Sequence, residues 1–209
     1  GAAAAAVVVW LIGSAGRDGA SPAKLALTGA AVTAGLTSVT MLVLTTDQSA
    51  LNVYRFWSVG SLTGRGLGTA LSLAPLVLVG MILAMLSATG LNLLALGEQT
   101  ARGLGHSVAR TRTVGIVAIV LLCGAATAMA GPLVFVGLVI PHLVRSVVGL
   151  DYRWIVPLCV PLGAALLLVA DTLGRIIALP GEVQAGIVVA VIGAPVLLSL
   201  VLRRRAVAL

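Results

Sequence analysis

The sequence is short of charge, and shorter still of acid. Asp, Glu, Lys and Arg together make up 9% of its 209 residues, and Asp and Glu number only 6. A soluble domain carries about 25% charged residues. With 60% hydrophobic residues and a mean hydropathy of +1.17, this chain has too little polar surface to face water on all sides. A bilayer is the solvent for most of it. Cysteine is nearly absent: Cys123 and Cys159 both fall inside apolar runs. That excludes a disulfide framework or a zinc-ribbon spacing, and both read as small core residues. Aromatic residues are scarce too, which leaves Trp10, Tyr54, Phe56, Trp57, Tyr152 and Trp154 as the interfacial anchors.

Catalytic and nucleotide-binding signatures are also missing. The chain has no Ser/His/Asp grouping, no His-Glu-x-x-His and no paired intramembrane aspartates. It therefore reads as no enzyme, with no catalytic residue, metal or cofactor expected. There is no Gly-x-x-x-x-Gly-Lys-[Ser/Thr] to cradle phosphates, so any ATP is expected on a separate subunit. A secondary transporter places ionisable residues or broken half-helices at mid-membrane. Here the mid-span positions are mostly Ala, Val, Leu, Gly and Thr. A passive path moved by an external motor fits better, with the secondary transporter as the alternative from another class. The net charge of +7 reads as juxtamembrane anchoring to lipid rather than nucleic-acid binding.

What is present is long apolar runs around one charged island. Gly66–Gly97 and Thr113–Pro141 carry no charge and no histidine over 32 and 29 residues. Between them, residues 97–112 hold Glu98, Arg102, His106, Arg110 and Arg112. The first four recur every fourth residue, so a continuous helix puts them on one face. Apolar stretches at 1–13, 25–46, 68–90, 113–144, 154–173 and 184–202 suit membrane helices of about 20 residues. β-Barrel strands alternate, and these runs do not. Leu51–Val59 suits a short surface helix, and Pro180-Gly181-Glu182 a turn.

Residues 113–144 pose one choice: a single tilted helix, or two helices broken at Gly131-Pro132. Proline in a helix interior costs about 3 kcal/mol and glycine about 1. Charge decides. With two helices, Arg17, Lys24, Arg102, Arg110, Arg112, Arg145, Arg153, Arg203, Arg204 and Arg205 share one side, against Arg55, Arg65 and Arg175 on the other, ten to three. With one helix the division is six to seven. The positive-inside rule prefers the first, which makes the island and the C-terminus cytoplasmic. About seven membrane segments result. His142 reads as helix-end packing near Arg145. Asp171 and Arg175, four apart with the acid first, read as a satisfied pair at the outer rim.

Several stretches then carry a resemblance. Ala95–Gly105, Ala130–Arg145 (Ala-Gly-Pro-Leu-Val-Phe-Val-Gly-Leu-Val-Ile-Pro-His-Leu-Val-Arg), Leu168–Asp171, Gly186–Val188, Ile192–Pro195 and Phe56–Leu62 resemble, in order and spacing, the FecCD-type permeases of ABC importers. These import iron-siderophores, haem or vitamin B12. The resemblance implies an all-α, polytopic membrane bundle of the type II ABC importer permease kind. About seven of ten spans would be present in a single N-terminally truncated domain over 1–209. It implies a dimer with a second permease copy or paralogue, a separate ABC ATPase, and a substrate-binding lipoprotein or periplasmic protein. It also implies that two short cytoplasmic helices dock on the ATPase, through Gly97, Glu98, Gln99, Ala101, Arg102, Leu104 and Gly105, while Arg110 and Arg112 anchor the next span. Arg175, Arg55 and Arg65 become candidates to receive the binding protein. The path would run beside 25–46 and 184–202, with Thr33, Thr37 and Thr40 supplying its polarity. Ferric-siderophore uptake across the cytoplasmic membrane is the expected function, with haem or cobalamin as the alternative.

Overall fold

The computed structural model describes residues 1–15, 22–62, 66–178 and 181–207. Among these the regular elements are helices, with no strand. They are α1 (Ala2–Ser14), α2 (Pro22–Thr46), α3 (Gln48–Ser58), α4 (Leu67–Ala95), α5 (Glu98–Gly103), α6 (Val108–Ala130), α7 (Val136–Val148), α8 (Tyr152–Ile177) and α9 (Ala185–Val207). Among the described residues, four stretches are long and apolar enough to cross a membrane: Ala23–Thr46, Leu67–Ala95, Val108–Ala130 and Tyr152–Ile177. Ala2–Ser14, Val136–Val148 and the Ala185–Ser199 part of α9 are shorter apolar helices. The seven apolar segments read from the sequence are therefore all helical. Arg65 and Pro180 lie outside the described residues.

The chain divides into two units, Gly1–Phe56 and Trp57–Leu209. In the first, α1 packs on α2 where Gly13 meets Leu25. Asp47 starts α3 by accepting from the Ser49 and Ala50 N–H groups and the Ser49 hydroxyl. These bonds hold its carboxyl below the usual carboxylate value, the Ser49 side chain contributing most. Val53 and Phe56, three apart, remain exposed on α3, as a helix lying in a membrane interface requires.

The second unit is built on close packing of small residues. Helix α4 buries Gly80, Ser87, Ala88 and Gly90; α6 buries Thr111, Ala118 and Ala125. A Cβ at Gly80 would press into Leu122, and one at Gly90 into Thr111 and His106. Helices in lipid gain little from apolar burial and much from such close approach. Ile140, Val144 and Ile155 join α7 to α8, while Ala170, Ala185, Val188 and Val189 join α8 to α9. Five prolines (Pro75, Pro141, Pro157, Pro161 and Pro195) sit inside helices without ending them. Neighbouring helices in a membrane bundle tolerate that.

The chain does break at 131–135, as the charge count requires. Gly131 takes φ +77° and Phe135 φ +70°. Gly193 of α9 leaves room for the Phe135 ring. At this end Trp57–Ser61 is threaded between two helix ends. Ser61 N–H donates to Ala130 O at 2.9 Å, and Gly186 N–H donates to Gly60 O at 3.0 Å. A Cβ on Gly131 would strike the Trp57 carbonyl oxygen, and one on Gly186 the Val59 carbonyl oxygen. These glycines are required by close backbone approach.

Candidate functional site

The island folds as a short helix between two glycine pivots. Gly97 (φ +106°) ends the run from α4, and Gly105 (φ +75°) ends the turn after α5. Both φ values favour glycine. Ser107 then caps α6, its hydroxyl accepting from Arg110 N–H at 3.4 Å. The six residues of α5 are too few to hold a helix alone. Ala101 supplies the foothold: it is fully buried, and its carbonyl accepts from His106 N–H at 3.0 Å. Below it, the His106 ring nitrogen Nε2 lies 2.7 Å from Thr111 Oγ1 on α6, over the gap left by Gly90.

This geometry corrects three expectations. Glu98, Arg102, His106 and Arg110 do not line one helix face, because the chain turns at Leu104–Ser107; only Glu98 and Arg102 share α5. One short helix is separate rather than two, since from Val108 the chain already belongs to α6. Ala101 faces the bundle and presents nothing to a partner. A residue taken for a simple anchor has a further contact. Arg112 Nη2 reaches Glu98 Oε2 at 2.7 Å, while Arg102 Nη2 holds Glu98 Oε1 at 2.6 Å. The outward surface includes Leu96 and Leu104, 66% and 64% exposed, with Gln99, Thr100, Arg102, Gly103, Gly105, Arg110 and Arg112. Even with Glu98 set against one arginine, that surface carries surplus positive charge.

Sequence reasoning passed over the staple beside it. Asn92, near the end of α4, donates from Nδ2 to Asp151 Oδ1 at 2.6 Å and accepts from Tyr152 N–H at 2.9 Å. Asp151 also caps α8 by accepting from Arg153 N–H at 2.9 Å. That backbone bond, then the Asn92 amide, lowers the Asp151 carboxyl pKa. Arg145 at the end of α7 donates to Tyr152 Oη at 3.1 Å. An Asn in an apolar run, 59 residues from its partner, gives no spacing signal. A cleft of about 450 Å³ lies beside this staple, lined by α4, α6, α7 and α8 residues such as Met81, Leu91, Ile119, Pro141 and Ile155.

At the opposite end of the unit, Arg175 Nε lies 2.9 Å from Asp171 Oδ2, and its Nη1 lies 4.0 Å from Glu182 Oε1. The expected Asp171–Arg175 pair is formed. Arg55, in the first unit, lies in the last turn of α3. Thr33 and Thr40 turn their hydroxyls onto their own helix, donating to Gly29 O at 2.7 Å and Leu36 O at 2.8 Å. Thr33 and Thr37 lie on the exposed surface of α2. Among the described residues no cluster of His, Cys, Asp and Glu is suited to a metal.

The model of the FecCD transport family matches residues 1–203. The ferric enterobactin transport system permease protein FepD of Escherichia coli (strain K12) is 43% identical over 204 residues, covering 98% of this chain and 61% of that protein. The probable siderophore transport system permease protein YfiZ of Bacillus subtilis (strain 168) is 41% identical over 196 residues, covering 94% and 59%. The hemin transport system permease protein HmuU of Yersinia pestis is 39% identical over 184 residues, covering 88% and 55%. A solved inward-facing structure described as a metal-chelate type ABC transporter superposes with a TM-score of 0.81 at 28% identity, covering 88% of this chain and 60% of that one. The chain thus spans about three fifths of the length of these relatives.

Proposed function

Because the chain belongs to the FecCD transport family, a family of membrane permeases, we propose that it is the membrane-spanning part of an ABC importer that carries a ferric siderophore across the cytoplasmic membrane. It works as one half of a permease dimer. ATP is hydrolysed on a separate ATPase subunit, and the substrate arrives on a binding protein. The siderophore assignment is supported by the names of FepD and YfiZ, among the most similar relatives. The name of HmuU keeps haem as the second reading. The island and the C-terminus are cytoplasmic, on the strength of the charge tally and of the two-helix break at 131–135.

The observation that carries the mechanism is the shape of the island. Helix α5 stands out from the bundle end on two glycine pivots, with Leu96, Leu104 and Arg102 outward. Two apolar side chains within a cationic rim suit a protein cleft with an apolar floor and acidic edges. ATP-driven closure of the ATPases would move α5 and, through it, α4 and α6, against which it packs. Arg175, Arg55 and Arg65, on the sparsely charged side of the charge tally, are the proposed contacts for the binding protein. The translocation path is proposed to use Thr33, Thr37 and Thr40 of α2.

The test is copurification of the ATPase with the permease, together with uptake of a radiolabelled ferric siderophore. Arg102→Glu combined with Leu104→Asp should abolish both while leaving the permease in the membrane at normal level. Normal ATPase yield from that variant would end the docking role. Competition of the uptake by unlabelled haem, but not by unlabelled siderophore, would replace the siderophore assignment with the haem one.

A further inference from the structure

We infer that Glu98 is a positioning residue: it fastens the docking helix to α6 instead of contacting the ATPase itself. The inference rests on the docking role proposed above and goes beyond it. Glu98 opens α5, directly after the Gly97 pivot. One carboxylate oxygen is held by Arg102, one turn on in the same helix, at 2.6 Å. The other is held by Arg112, in the second turn of α6, at 2.7 Å. Both oxygens are therefore turned back onto this chain.

The placement of the other contacts gives that link its purpose. The C-terminal end of α5 is already secured by the buried Ala101, the His106 N–H bond to its carbonyl, and the His106–Thr111 contact on α6. All three lie toward the Gly105 side. Toward Gly97, the inter-helix polar link from α5 to α6 is the Glu98–Arg112 pair. Gly97 and Gly105 are the two joints about which so short a helix swings. With the pair made, a push on α5 rotates α6 with it. With the pair broken, α5 pivots about its C-terminal foothold and the push is lost in the Gly97 joint. Arg102, bound to the same carboxylate, is also held at a fixed angle for the partner it faces. An exposed pair is weak and salt-screened, so the clamp sets the efficiency of coupling rather than the existence of the complex.

The experiment places a spin label at Gln99, exposed on α5, in a chain with Cys123 and Cys159 replaced by alanine. Its mobile fraction is read in the purified permease, and substrate moved per ATP is read in the reconstituted transporter. Glu98→Gln and Arg112→Gln should each raise the mobile fraction by up to about five-fold, the ceiling that an exposed ion pair sets. Each should lower substrate moved per ATP, with the ATPase copurifying at wild-type yield. Arg112→Lys should restore both readouts, and Arg110→Gln, which removes the same charge elsewhere on α6, should leave the mobile fraction unchanged. Unchanged mobility in Glu98→Gln and Arg112→Gln would overturn the inference. So would loss of the ATPase in Glu98→Gln with its retention in Arg112→Gln, which would make Glu98 a direct contact. The label is read without a partner, so a permease that binds no ATPase refutes the docking proposal and leaves the clamp measurable.

Discussion

Gly131→Ala is the substitution whose cost the structure specifies most fully. Gly131 has φ +77° and ψ −173°, a backbone region that glycine almost alone occupies. Holding alanine there costs about 1–3 kcal/mol. The added methyl would also overlap the Trp57 carbonyl oxygen and crowd Gly60. The obstacle is backbone, which cannot rotate aside as a side chain does. Overpacking of this kind costs a further 1–3 kcal/mol or so. The sum, about 2–6 kcal/mol, is a large share of the roughly 5–15 kcal/mol that holds a native protein together. At about 2–4 °C per kcal/mol for a chain of this size, the midpoint should drop by at least about 4 °C. The assay is thermal unfolding in detergent followed by tryptophan emission, in which Trp57 reports from the collision site. Gly137→Ala is the control: a Cβ there meets nothing within 4 Å, so its midpoint should hold or rise slightly. A Gly131→Ala midpoint within about 1 °C of the parent would refute the reasoning.

Three further outcomes follow from the polar contacts. Asn92→Leu removes the acceptor for Tyr152 N–H, worth about 1 kcal/mol, and should lower the midpoint by about 2–4 °C; an unchanged midpoint would show that the α4–α8 staple is not formed. The Asp151 carboxyl titrates below its ordinary value of 3.8 because it accepts from Arg153 N–H and Asn92. Its contribution is therefore full above that value and is lost as pH falls through the lower native one. Melting should weaken below about pH 4, and Asp151→Asn should flatten that acid limb; equal limbs in parent and variant would contradict this. Arg175 is flanked by Asp171 and Glu182, so Glu182→Gln should speed capture of the binding protein at low salt and Arg175→Glu should slow it. Rates indifferent to both changes would remove Arg175 from the interface.

The helices were legible because apolar runs with almost no interior charge leave few alternatives. Proline was the less dependable signal. Pro75, Pro157 and Pro161 lie inside intact helices, whereas the break at 131–135 pairs Pro132 with a glycine at positive φ. Only the charge balance separated these cases from the sequence. The island was legible as a unit, but its internal geometry was not. A four-residue spacing predicts one face only while the helix continues, and Leu104–Ser107 ends it. Arg112 reaches Glu98 because the chain doubles back, and Asn92 reaches Asp151 across the bundle; neither contact leaves a periodic trace. The seat of the Phe135 side chain is likewise invisible, since it depends on the space that Gly193 leaves on a different helix.

The break at 131–135 also says which way the bundle looks. Helix α7 has 13 residues, about 20 Å at 1.5 Å per residue, against a hydrocarbon layer of about 30 Å. Asn92 and Asp151 place the start of α8 beside the end of α4, so the chain recrosses the layer between 130 and 152, and extended backbone supplies the missing length. Backbone without a helical ladder is not found against acyl chains; it lies against protein or water. Val134, 58% exposed on this chain, is therefore covered by one of these in the membrane. The annulus of lipid around the bundle is interrupted at that azimuth. Leu86 and Ile119, 70% and 61% exposed on uninterrupted helices, carry no such prohibition. A photoreactive acyl chain should leave residues 132–134 unmarked.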